Sequence, residues 1–194
     1  MRGQSGVEFL ISVSLIFILS AVVIMFFNPP EKDISNEICS FVASSIDYAY
    51  SNSTMIRFDV PQDFLIVVYP GGISVGVENP VFCPLSSRNV SKIMFMGGKV
   101  SAFNLNERVY VLAVSTDKNL YRIGETVYIS SGEFVEGGWI FVNFSNGTTV
   151  PGFPVFYASS SVNISWKPEE KTTYIIKAFD NLTYSEAERM VVVL

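Results

Sequence analysis

The first feature in the pattern of apolar and polar positions is an uncharged stretch from Phe9 to Pro30. Within it, Phe9 to Phe27 consists of Leu, Ile, Val, Phe, Met and Ala broken only by Ser12, Ser14 and Ser20. At a rise of ~1.5 Å per residue, a helix over that run crosses the ~30 Å hydrocarbon core of a bilayer. The serine hydroxyls can bond back to the preceding turn, so the pattern predicts a membrane helix. Asn28-Pro29-Pro30 then predicts a bend or break, because proline lacks the amide donor and crowds the turn before it. From Glu31 to Ser51 the residues Ile34, Ile38, Phe41, Val42, Ile46 and Ala49 recur at helical spacing, with Asp33, Glu37 and Asp47 off the stripe. This predicts a second helical stretch that lays one face on a sheet.

After Asn52 the period shortens to that of strands. Candidates run over Met55–Val60, Phe64–Tyr69, Ile73–Glu78, Lys92–Met96 and Lys99–Phe103, punctuated by Pro-Gly-Gly, Asn-Pro and Gly-Gly turn signals. From about Arg108 the pattern restarts more regularly, with strands expected at Val109–Ser115, Thr126–Ser130, Trp139–Phe144, Pro154–Tyr157, Val162–Lys167, Thr172–Phe179 and Glu188–Leu194. That spacing suits a seven-stranded sandwich.

Charge and composition exclude several chemistries. The net charge of −5 and pI of about 4.8 come with no basic stripe, which argues against a nucleic-acid partner. The chain has no histidine, which removes the commonest general base, the commonest zinc ligand and every Ser/His or Cys/His nucleophile pair. The carboxylates Asp59, Asp63, Asp117, Glu169, Glu170 and Asp180 belong to no recognisable constellation and read as solvated strand ends or turns. A calcium loop, a nucleophile elbow and a phosphate-binding glycine loop are missing from the sequence, and Gly71-Gly72, Gly97-Gly98 and Gly137-Gly138 read as turns. The expectation is a protein that is not an enzyme and needs no cofactor or metal. The two cysteines, Cys39 and Cys83, either form one disulfide stapling the second helical stretch to the small sheet or remain buried thiols.

Ahead of the apolar run stands Met1-Arg2-Gly3-Gln4-Ser5-Gly6-Val7-Glu8. This segment resembles the class III signal of archaeal type IV prepilins. In that family a short basic leader ends in glycine, a prepilin peptidase cuts after it, the mature chain begins with glutamine and its fifth residue is glutamate. Here Gly3 and Gln4 match the cleavage site and Glu8 the acid. Many members have serine as the third mature residue, whereas this chain has Ser5 second and Gly6 third. The resemblance implies that the apolar helix stays attached after cleavage and packs with its copies, or with related pilin subunits, in a filament. Glu8, costly near hydrocarbon unless paired, would set helix register against the new amine at Gln4.

Tyr121-Arg122-Ile123-Gly124-Glu125-Thr126-Val127, followed much later by Thr173-Tyr174-Ile175-Ile176-Lys177-Ala178, resembles immunoglobulin-like modules of microbial surface proteins. In such modules Trp139 would be the buried strand aromatic and Tyr174 a tyrosine corner; the plain alternative for both is core filling. Asn-x-Ser/Thr occurs at Asn52, Asn89, Asn143, Asn146, Asn163 and Asn181, six of twelve asparagines, an excess that points to N-glycosylation of an exposed surface.

The expected fold class is therefore α+β: a long N-terminal hydrophobic helix, a small β-sheet domain and a C-terminal Ig-like sandwich. Residues 1–3 are the leader, 4–51 the helix (4–27 in the membrane or filament, a bend at 28–30, 31–51 amphipathic), 52–107 the small β domain and 108–194 the sandwich. The expected function is a pilin-like surface subunit, minor or at a tip. It would be anchored in the membrane with its bulk extracellular, and would display β domains for adhesion to a surface ligand. The rival is a membrane-anchored envelope binding protein that never polymerises; a third reading is an envelope hydrolase using two carboxylates.

Overall fold

The structure, a computed structural model, describes residues 31–194. The leader, the cleavage site at Gly3 and Gln4, Glu8, the apolar stretch 4–27 and the proline break at 28–30 lie outside the described residues. Helix α1 (Glu31–Asn52) matches the amphipathic pattern. Its stripe buries Ile38, Cys39, Val42, Ile46 and Ala49, while Phe41 and Tyr48 stay exposed.

Twelve strands follow: β1 (Met55–Tyr69), β2 (Gly72–Val75), β3 (Val81–Pro84), β4 (Ile93–Leu105), β5 (Arg108–Thr116), β6 (Leu120–Tyr121), β7 (Val127–Gly132), β8 (Gly138–Phe144), β9 (Val155–Tyr157), β10 (Ser161–Trp166), β11 (Thr173–Asp180) and β12 (Glu186–Val193). The expected α+β class is thus corrected. The described residues are predominantly β with a single helix, and no helix among them is long and apolar enough to cross a membrane. Nor does a small sheet stand apart from a sandwich: β4 pairs with β5 and touches β12, so one 12-stranded sheet includes both. Asn106 and Glu107, both at positive φ, make the tight turn between β4 and β5.

Two strands are longer than the pattern predicts. β1 runs through Pro61, with a register shift between Val60 and Leu65 against β4, and β4 runs through Gly97-Gly98. The glycines mark a close approach of backbones rather than a turn. A Cβ on Gly97 would lie 2.0 Å from the Pro61 carbonyl oxygen, and one on Gly98 (φ +115°) 2.5 Å from that of Glu188.

β5 changes partner midway: Arg108–Leu112 pair with β4, and Ala113–Thr116 with β7. This creates two facing layers, β10-β7-β5 and β12-β11-β8-β9. Burial alternates along β11 and β12, and Leu112, Val114, Val127, Ile129 and Val162 meet Ile140, Val142, Ile176, Ala178, Ala187 and Val191 in one core. Strand order and antiparallel registers are those of an immunoglobulin-like β-sandwich, formed by the C-terminal part of the chain. Tyr174, one residue into β11 and buried, donates its hydroxyl to the Glu170 carbonyl at 3.0 Å. This is the tyrosine-corner geometry. Trp139 is not the buried strand aromatic: it lies on the outer face, half-buried against Phe156, with ring centroids 5.1 Å apart. Phe134, Tyr121 and Tyr174 supply the fully buried aromatic bulk instead.

Candidate interaction surfaces

Cys39 on α1 and Cys83 on β3 form a disulfide with Cα atoms 5.9 Å apart. Beside it Asp47 accepts hydrogen bonds from the Ser86 and Ser87 amides at 2.9–3.3 Å, so the helix is tied covalently to β3 and by charge to the β3–β4 connection. Both devices sit where helix and sheet meet.

Three of the carboxylates raised by the sequence, Asp180, Asp117 and Asp63, have structural partners. Asp180, fully buried, accepts from the amides of Val135, Leu182 and Thr183 and from the Thr183 hydroxyl, between 2.7 and 3.1 Å. It holds the β11–β12 turn against the β7–β8 connection. Asp117 accepts from the Tyr121 hydroxyl at 2.6 Å and the Tyr128 amide at 3.0 Å. Burial, more than the neighbouring Asp117, pushes the Tyr121 hydroxyl well above the ordinary tyrosine range. Asp63 accepts from the Asn119 side chain at 3.1 Å. Glu169 and Glu170 are exposed in the loop before β11, and Asp59 is exposed on β1. The arrangement gathers no pair of these acids across a cleft, and no cluster of three or more acidic or cysteine side chains among the described residues is placed to hold a metal ion.

The sequence reading missed Arg189. This residue is 1% exposed, the largest fully buried side chain among the described residues. Its Nε donates to Thr116 Oγ1 at 2.7 Å, Nη1 donates to the carbonyls of Met96 and Gly97, and Nη2 donates to Asn119 Oδ1. The guanidinium therefore joins β12, β4 and the β5–β6 connection, and its desolvation lowers its pKa from the arginine range. A signal was available in the sequence: the two-residue period of β12 puts Arg189 on the face of Ala187 and Val191.

Two surfaces remain open. On the outer face of β9-β8-β11-β12, Phe156, Trp139 and Phe179 stand in one cross-strand row that ends on Tyr184, whose ring centroid lies 5.9 Å from that of Phe179. The next row is Phe141, Lys177, Glu188 and Lys99, with Glu188 paired to Lys177 at 2.8 Å and Lys99 at 2.9 Å. The second surface is a groove of about 580 Å³ between β4 and the outer face of β5-β7-β10, lined by Leu65, Met94, Met96, Ser115, Tyr128 and Asn163 among others.

The six sequon asparagines are spread over the described residues. Asn52, Asn89, Asn146, Asn163 and Asn181 are exposed, whereas Asn143 lies half-buried inside β8 with its Oδ1 enclosed and unpaired.

No family model matches the chain, and no curated protein is similar to it. Among solved structures, the CARDB domain of the PF1109 protein from Pyrococcus furiosus, described in complex with di-metal ions, is 17% identical. The match covers 43% of this chain and 85% of that one, with a TM-score of 0.30. A likeness at that level carries nothing over to this chain, whose sandwich is defined by its own strand order and registers.

Proposed function

We propose that this chain is a non-enzymatic, pilin-like surface subunit, processed by a prepilin peptidase between Gly3 and Gln4. The carrying observation is the order Arg2-Gly3-Gln4, then Glu8, then the uncharged stretch to Pro30. Cleavage ahead of the apolar segment leaves it on the mature chain, where it holds the protein in the membrane and afterwards serves as the contact with like or related subunits. Two features of the described residues support an extracytoplasmic location: a disulfide, which persists in oxidising compartments, and five exposed sequon asparagines. The Ig-like module presents the aromatic row Phe156-Trp139-Phe179 to a surface or partner.

The test is N-terminal sequencing of the protein from its native membrane or surface fraction, beside a Gly3→Val variant. A start at Gln4 that is lost in the variant is the expected result. An intact Met1, or a start inside or beyond the apolar stretch, would overturn prepilin processing. Cross-linking of the processed chain with and without Glu8→Gln then separates a polymerising subunit from a monomeric anchor, since only the former changes register.

A further inference from the structure

The groove beside β4 has a chemistry of its own. Ser115, Ser130 and Asn163 are cross-strand partners, as are Ala113, Gly132 and Ser161, and Tyr128 faces Ser165. Their neighbours Val114, Ile129 and Val162 point into the sandwich core, so these residues form the outer face, a floor of small and hydroxyl-bearing side chains. The wall comes from β1 and β4, where Ile66 and Phe95 are buried and the alternating Leu65, Met94 and Met96 turn to the groove. Met94 is 65% exposed and Tyr128 60%. Large apolar groups left this open beside serine hydroxyls and the Asp117 carboxylate match a ligand with both an apolar face and a hydroxyl rim. A sugar ring has that character, and the volume suits a short oligosaccharide.

The attachment point is in the groove itself. Asn163-Ile164-Ser165 is a sequon on β10, which among the described residues is an edge strand paired with β7. Asn163 lies diagonal to Tyr128 on the same face, within reach of an aromatic side chain. Three of the other sequons lack this setting: the amide nitrogens of Asn52 and Asn89 donate to the carbonyls of Tyr48 and Glu107, at 3.0 and 3.1 Å, and Asn143 is enclosed in its strand. We propose that Asn163 carries an N-linked glycan whose first sugars lie in the groove, stacked on Tyr128 and covering Met94, with Ser115 and Ser130 beneath. The glycan thereby covers the apolar wall that the divergence of β5 from β4 leaves bare. This inference rests on the extracytoplasmic location proposed above.

The experiment uses the full chain isolated from its native membrane or surface fraction. Glycopeptide mass spectrometry reads occupancy at each sequon, and mild peroxide treatment of the folded protein reads the oxidation rate of Met94, with Met190 on the opposite outer face as internal control. Asn163→Gln and Ser165→Ala remove the same sequon by different atoms. The expected result is occupancy at Asn163 and a several-fold faster Met94 oxidation in both variants, with Met190 unchanged. Modification at other sequons but not at Asn163 overturns the proposal while leaving the surface location intact; no modification at any sequon removes that support for the location as well. Occupancy at Asn163 with unchanged Met94 oxidation also overturns it: slow rates in all forms would mean that another occupant, such as a second copy of the chain, covers the wall, and fast rates in all forms that the glycan points away.

Discussion

Replacing Arg189 by methionine keeps an unbranched apolar stem and deletes the guanidinium. The loss has two parts of opposite sign. Removing the cation relieves its desolvation, several kcal/mol for a buried ion. Against this stand four hydrogen bonds from a charged donor group, each worth about 1.5–3 kcal/mol. Two of their acceptors, the carbonyls of Met96 and Gly97, are strand groups that would lose their arginine donor; a buried acceptor left bare costs about 1–3 kcal/mol. Thr116 Oγ1 keeps its own bond to the Lys118 carbonyl at 2.6 Å and is the least affected. The balance is a destabilisation of about 2–6 kcal/mol, set by the two carbonyls left bare, or a fall in Tm of roughly 10 °C for a unit of this size. Urea unfolding of the full chain in detergent, followed by tryptophan fluorescence, measures it. Arg189→Lys retains the charge but cannot fork to four acceptors, and falls between methionine and wild type. A methionine variant within about 1 kcal/mol of wild type would refute the reasoning: the desolvation cost would then equal everything the four bonds return.

Two further outcomes follow from other parts of the fold. The Cys39–Cys83 bridge spans a sequence separation of 44, and in the chain-entropy model its removal by Cys39→Ser with Cys83→Ser lowers stability by about 4 kcal/mol, read by the same urea titration; a change under 1 kcal/mol would show that the helix is held by packing and Asp47 alone. For Glu188, burial pushes the pKa up, but the hydrogen bonds and charges of Lys177 and Lys99 outweigh it and hold the carboxyl below its ordinary value of 4.5. A depressed folded pKa stabilises the protein above the unfolded value, and that contribution disappears as pH falls through the folded one, so stability should drop below about pH 4.5 and the drop should be shallower in Glu188→Gln; equal acid slopes in the two proteins would remove the ladder from the account.

Much of the fold was legible in the sequence where local pattern and tertiary structure agree. The stripe from Ile38 to Ala49 forms α1, the strands from Val109 onward fall within a few residues of their expected bounds, and Tyr174 makes its corner. The errors come from signals with two meanings. Gly97-Gly98 reads as a turn because glycine is the usual turn residue, but here the missing side chains let Pro61 and Glu188 approach β4. Pro61 reads as a strand end, but it falls where the β1–β4 register shifts and no ladder donor is required. The short β3 and β6 carry too few residues for a period to show. Trp139 reads as core because of its size; the parity of β8, with Ile140 and Val142 inward, assigns it outward. The groove was beyond reach for a different reason: it is made by the divergence of β5 from β4, and no local pattern records where a strand changes partner.

That change of partner also has a mechanical consequence. Since β5 belongs to both layers and Arg189 bolts β12 to β4, no extended linker separates the helix-bearing part of the sheet from the sandwich. Tension applied through α1 would enter the sheet at the Cys39–Cys83 staple and reach β5 through the long β1–β4 and β4–β5 ladders. The Ig-like module is accordingly a rigid bracket rather than a pendant on a string: it keeps a fixed bearing relative to α1, and the direction in which its aromatic row faces is set by the fold.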